Sequence, residues 1–193
     1  MTRENLILFL QHNGHISAQQ AAEIASGFKE RTLDRNEFLL HAGRVSDEYF
    51  FLTTGFMRAF AYDVDGNDVT TGFCAGGQVV FEVASFFNRT PSSEYIQALT
   101  PCEGWCLTHK QLNELFHARM EFREFGRSVL VRGFAALKGR MLAMITESAT
   151  VRYESLLKAN PEILRHAPLK YVASYLGITD TSLSRIRKGT SHH

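Results

Sequence analysis

The stretch Pro168-Leu169-Lys170-Tyr171-Val172-Ala173-Ser174-Tyr175-Leu176-Gly177-Ile178-Thr179-Asp180-Thr181-Ser182-Leu183-Ser184-Arg185-Ile186-Arg187-Lys188 holds two short amphipathic segments hinged at one glycine. Proline is well placed at a helix start, because its fixed φ suits the first turn and its missing N–H costs nothing there. The first helix is expected to bury Leu169, Val172, Ala173 and Leu176, with Ala173 small where a second helix must cross closely. Gly177 offers the positive φ that a tight helix-to-helix turn demands. Ile178 then plugs the core and Thr179 caps the second helix. That helix turns Leu183 and Ile186 inward and leaves Thr181, Ser182, Arg185 and Lys188 outward. Short hydroxyls and an arginine on an outer helical face suit base edges in a major groove. A surface hairpin carrying solubilising cations is the bland alternative, and the Ala, Gly, Ile and Leu spacing disfavours it.

Upstream, Asn160-Pro161 and Ala167-Pro168 break the chain, since the residue before a proline is steered out of the helical region. Short helices are expected over 151–159 and 161–165. Before them, about residues 121–147 run without proline at helical spacing, a helix on the order of 40 Å long at 1.5 Å per residue. Leu130, Phe134, Leu137, Met141 and Met144 step by four, three, four and three, the pattern of a coiled-coil seam. Phe122, Phe125 and Val129 form a second apolar face. Such a helix can pack on its own domain with one face and on a second copy with the other. Gly126, Gly133 and Gly139 weaken helix propensity and permit close approach of a second helix.

From Gly27 to His109 the texture is different. FKERTL, EFLLHAG, DEYFFLTTG, MRAFAYD, DVTTGFC, QVVFEV, SEYIQALT and EGWCLTH read as short strands between turn signals, an antiparallel sandwich or barrel. Tyr62 to Asn67 reads as a hairpin tip. Ahead of the strands, residues 1–27 read as two short helices, the second opened by a Ser17/Gln20 capping box. The chain thus divides into residues 1–118 (helices plus β sandwich), 119–148 (long helix) and 149–193 (helix-turn-helix). The class is α+β: an antiparallel sandwich or barrel, a long dimerisation helix and a C-terminal helix-turn-helix.

Charge agrees with that division. The net charge is +1, yet residues 151–193 carry seven basic against three acidic side chains, and the rest carries 14 against 17. A basic end suits phosphate. Apolar runs are too short for a membrane span, and the N-terminus lacks a secretory signal. The three cysteines, without framework spacing, suit a reducing cytoplasm. Cys102 and Cys106, with Cys74 distant, fall short of a four-ligand metal site and read as small buried thiols. Asp63, Asp65 and Asn67 mimic the start of a calcium loop, but position twelve is Cys74 where a glutamate is needed. His41, His109 and His117 are scattered, so a metal-dependent enzyme on a β sandwich is not expected, nor is any metal or cofactor. The terminal run 189–193 is set aside.

In this order a sandwich, a long helix and a terminal helix-turn-helix resemble the Crp–Fnr regulators, over roughly Ala18 to Lys188. The tightest patch, ASYLGITDTSLSRIRK, is close to the LGI(T/S)xxTLSRIRK pattern of one branch of that family. The resemblance implies a sandwich of the cyclic-nucleotide-binding, jelly-roll type and a DNA-binding transcription regulator with Asp180, Thr181 and Arg185 facing base edges, while the helical spacing adds Ser182 and Lys188 to that face. It also implies a homodimer, with an unidentified small-molecule effector and RNA polymerase as further partners. Asp180 stands where many relatives place a cation, so the operator does not carry over, and the two-stranded wing that many relatives append is not expected. Relatives that bind cyclic nucleotides carry Gly-Glu and then Arg-Ser/Thr-Ala, the arginine pairing with the cyclic phosphate. Here Phe81-Glu82 aligns with the first pair, and Ser92-Ser93-Glu94 with the second. Arg89 lies three residues upstream of Ser92 and substitutes only if the loop shifts register. The effector pocket (Phe81, Glu82, Arg89, Ser92, Ser93) is therefore expected to keep its fold and lose cyclic AMP. A sensing module acting through protein partners without DNA is the alternative.

Overall fold

The computed structural model describes residues 2–190; the terminal His192 and His193 lie outside the described residues. Two helices, α1 (Glu4–Asn13) and α2 (Ala18–Ser26), precede the strands. The expected capping box is formed: Ser17 Oγ accepts from the Gln20 amide, and the Gln20 side chain accepts from the Ser17 amide. Eight strands follow: β1 (Lys29–Leu33), β2 (Phe38–Leu40), β3 (Glu48–Thr54), β4 (Phe56–Tyr62), β5 (Asp68–Ala75), β6 (Gln78–Val80), β7 (Tyr95–Ala98) and β8 (Cys102–Thr108). The short helix α3 (Val83–Asn88) interrupts them between β6 and β7. They form two four-stranded antiparallel sheets, ordered β1-β8-β3-β6 and β2-β7-β4-β5.

Alternation along β3 explains how the sandwich is covered. Phe50 and Leu52 point between the sheets with Leu33, Leu40, Met57, Val80, Ile96 and Ala98. Tyr49 and Phe51 point the other way, into a core with Leu6, Leu10, Ile24, Trp105, Phe122 and Phe125. The first sheet is thus buried on both faces, which is why β3 reads as an unbroken apolar run. Between β4 and β5, the carboxylate of Asp63 accepts from the amides of Asp65 and Asn67 and from the Asn67 side chain, closing the expected hairpin tip. These bonds, the Asn67 side chain first, hold the Asp63 carboxyl below its ordinary range.

Past β8 come α4 (His109–Ala118) and the long α5 (Met120–Thr146), then α6 (Ala149–Ala159) and α7 (Ile163–His166). Helices α8 (Leu169–Tyr175) and α9 (Asp180–Thr190) end the described chain. At Gly126 an added Cβ would lie 2.5 Å from the Phe116 ring, so this glycine serves the α4–α5 contact inside the subunit. Around Gly133 and Gly139 the space is open.

Two readings need correction. QVVFEV is not strand throughout: it ends at Val80 and the chain turns into α3, because Glu82 caps that helix, accepting from the amides of Ala84 and Ser85. Leu169 is not buried but 39% exposed, since it is the first residue of α8 and lies beyond the edge of the core that Val172, Ala173 and Leu176 enter.

Candidate nucleic-acid interface

The turn between α8 and α9 is built by backbone geometry. Gly177 has φ +67°, and the Ile178 amide donates to Ala173 O while the Gly177 amide donates to Ser174 O. That pair of bonds closes the C-terminus of α8 in a left-handed cap. Thr179 Oγ1 then accepts from the Ser182 amide, opening α9. Leu183 is fully buried against Val172, Ala173 and Leu176, and Ile178 and Ile186 pack at the edge of that cluster. Two helices crossed over one small core fix which side of α9 meets solvent.

Asp180, Thr181, Arg185 and Lys188 are exposed, as is Ser184. Ser182 is half-buried, and its hydroxyl lies 3.0 Å from Thr179 Oγ1, so it belongs to the cap as much as to the outer face. Ser184 was missed by sequence reading. The signal was there: positions 181, 184, 185 and 188 share one helical face, whereas 182 lies off it. The resulting surface offers two hydroxyls, a guanidinium and an ammonium in a row, with a carboxylate at the helix start.

The long helix carries the five seam residues on its outside. Leu130 (39%), Phe134 (69%), Leu137 (63%), Met141 (53%) and Met144 (40%) are all exposed, in company with Val131, Leu142 and Ile145. Met144 has a second contact, since its methyl packs over Gly177 in the α8–α9 turn. Opposite, Phe122 and Phe125 are buried in the sandwich core and Val129 packs against it.

The five residues of the aligned effector pocket are not gathered around one space. Phe81 packs its ring on Tyr49 and Phe86. Glu82 spends its carboxylate on the α3 cap. Arg89, at φ +57°, ends α3 and reaches back to Asp47 at 2.6 Å and to Ser46 O at 2.9 Å. Ser92 is buried and bonds within its own turn to Glu94, while Ser93 is exposed. A cavity of about 720 Å³ between α1, β6 and α5 touches Phe81 but none of the other four. Its walls include Phe9, Val79, Val129, Leu130 and Leu137. Burial pushes the Cys74 thiol up to about 11, with Glu94 adding to it, and raises Cys102 and Cys106 as well. Among the described residues no group of three His, Cys, Asp or Glu side chains is placed to hold a metal ion, and no helix is long and apolar enough to cross a membrane.

Residues 30–119 match the family model of the cyclic nucleotide-binding domain, and most of the chain shares its fold with several solved structures. FixK2 from Bradyrhizobium japonicum superposes with a TM-score of 0.73 at 14% identity, over 86% of this chain and 85% of that one. CLP from Xanthomonas campestris, described as a c-di-GMP-responsive global regulator, gives 0.70 at 15% identity over 91% and 92%. The catabolite activator protein of Thermus thermophilus gives 0.59 at 18% over 95% and 87%. No curated protein sequence matches the chain.

Proposed function

We propose that this protein is a DNA-binding transcription regulator that works as a homodimer through α5 and presents α9 to the major groove. The observation that carries this is the solvent face of α9, where Thr181, Ser184, Arg185 and Lys188 stand together on a helix whose other side is locked into a core shared with α6, α7 and α8. Arginine forks onto guanine, hydroxyls accept or donate to several base edges, and lysine meets phosphate. Asp180 accepts from a cytosine amine in the same scheme. The shared fold with structures described as regulators supports the reading. The α5 stripe supports the dimer, because a monomer seldom leaves so many large apolar side chains in one row.

The sensor domain, on this proposal, answers to something other than cyclic AMP or cyclic GMP. The aligned positions Ser92, Ser93 and Glu94 hold no arginine for a cyclic phosphate, and Arg89 upstream is held by Asp47. The test of the function is selection of bound duplexes from a random pool. A roughly palindromic site with half-sites about one helical turn apart is the expected product; no enrichment of any duplex would refute the reading.

A further inference from the structure

The cavity of about 720 Å³ between α1, β6 and α5 has the size of a site for a small organic ligand. Two of its walls are fixed by the core beneath them. The Phe9 ring from α1 packs 4.7 Å from Phe51 and 5.5 Å from Phe125, and Phe81 packs on Tyr49 and Phe86. All four of these partners are buried, so the two rings hold their places without a ligand. The third wall, on α5, is low. Val129, Gly133 and Ala136 step by four and three along one face, and a Cβ added at Gly133 would meet nothing within 4 Å.

Charge makes this apolar space asymmetric. Among the described residues that line it, Arg132 alone is charged. Its guanidinium donates to Asn13 Oδ1 at 2.7 Å, and the Asn13 amide in turn donates to Phe9 O. A neutral amide thus holds Arg132 in place, whereas Arg127 on the same helix pairs with Glu124 at 2.8 Å. The rim keeps a positive charge that no carboxylate of the lining answers. Successive helical residues are about 100° apart, which lays three sectors of α5 side by side. Arg132 lies on one flank of the Val129, Gly133 and Ala136 face, and Leu130, Phe134 and Leu137 lie on the other. Those last three line the cavity and also belong to the proposed dimer seam. A second copy seated on the seam therefore roofs the apolar end and leaves the Arg132 end open.

We propose that this cavity binds a single-chain amphiphile with an anionic head, a medium-chain carboxylate. Its head meets Arg132, which Asn13 positions, and its chain runs along Val129, Gly133 and Ala136 toward Leu137. Apart from Phe81, the site uses none of the residues aligned with a cyclic-nucleotide pocket. It gives the sensor domain of the proposed regulator a ligand class, and it rests on that reading only for the roof that a second copy supplies.

Titration calorimetry of the full chain with decanoate, decanol and decylamine, without DNA, tests the site separately from DNA binding. Wild type should take up one decanoate per chain, about tenfold more tightly than decanol, with decylamine weaker still. Arg132→Gln should weaken decanoate about tenfold and leave decanol unchanged. Gly133→Phe, which fills the cavity from α5, should abolish binding of both, while Gly133→Ala keeps it. The Arg132 variant leaves the packing alone and so guards against a folding defect at Gly133. Binding that ignores the sign of the head, or that survives both Arg132→Gln and Gly133→Phe, is detergent-like adsorption and overturns the proposal. A wild type with no saturable decanoate site overturns it too, and is the result expected if a second copy fills the cavity.

Discussion

Gly177 carries the turn on which the recognition face depends. Its φ of +67° lies where an alanine is strained by about 1–2 kcal/mol, and the added Cβ would meet only the movable end of Met144. Gly177→Ala should therefore fold and lose a few degrees of Tm by differential scanning calorimetry; an unchanged Tm would deny the left-handed turn. Cys74 tests the packing of β5. Its thiol, pushed up to about 11, stays protonated at pH 8, where a free thiol is already partly ionised. Iodoacetamide should label this half-buried thiol slowly at pH 8 and faster only as the pH climbs toward 11, and prompt labelling at pH 8 would contradict the raised thiol. At the proposed effector site, electrostatics weighs against a cyclic nucleotide. Stripping water from a cyclic phosphate without a cation costs several kcal/mol in effective terms. Glu82 could return only about 0.5–3 kcal/mol through one hydrogen bond, and its carboxylate is already committed to α3. Titration calorimetry should show weak or no binding of cyclic AMP and cyclic GMP. A micromolar dissociation constant lost in Arg89→Ala would overturn this.

Helix α5 was legible in the sequence because its two apolar faces repeat at helical spacing over an uninterrupted stretch, and the structure gives each face a different fate. Phe122 and Phe125 enter the sandwich core, while Leu130, Phe134, Leu137 and Met141 stay on the outside. Leu137→Glu puts a carboxylate in the proposed seam at an exposed position outside the sandwich cores, so sedimentation should show monomers with unaltered β-sheet circular dichroism. A wild type that sediments as a monomer at micromolar concentration would remove the dimer from the account. The strands were legible from their alternation, but α3 was not. Val79, Val80 and Phe81 look like one more strand, and the turn into a helix depends on where the Glu82 carboxylate finds its amides. A capping side chain preceded by β-branched residues gives no periodic signal. Leu169 misled for a related reason: spacing assigns a face, but only the neighbouring elements decide how far along the helix that face stays covered.

For the whole molecule, the order of sandwich, long helix and helix-turn-helix could be read from composition shifts and breaks at Asn160-Pro161 and Ala167-Pro168. The docking of α8 on β4–β5 could not. Arg58 and Tyr171 are far apart in the chain, and nothing near either one in sequence announces a cation between two rings. The exposed face of α9 was legible except for exchanging Ser182 with Ser184, a difference that the Thr179 cap explains. On the proposed function, α9 reads duplex DNA, with Arg185 on a base and Lys188 on phosphate. The most direct test is fluorescence anisotropy of wild type, Arg185→Ala and Lys188→Ala on the selected duplex and a scrambled one, across a range of salt. Arg185→Ala should cost about 1–3 kcal/mol on the selected site and little on the scrambled one. Lys188→Ala should weaken both evenly and reduce the salt slope by about one. Wild-type protein showing no salt-dependent affinity for either duplex, or equal affinity for both with Arg185→Ala unchanged, would contradict the account.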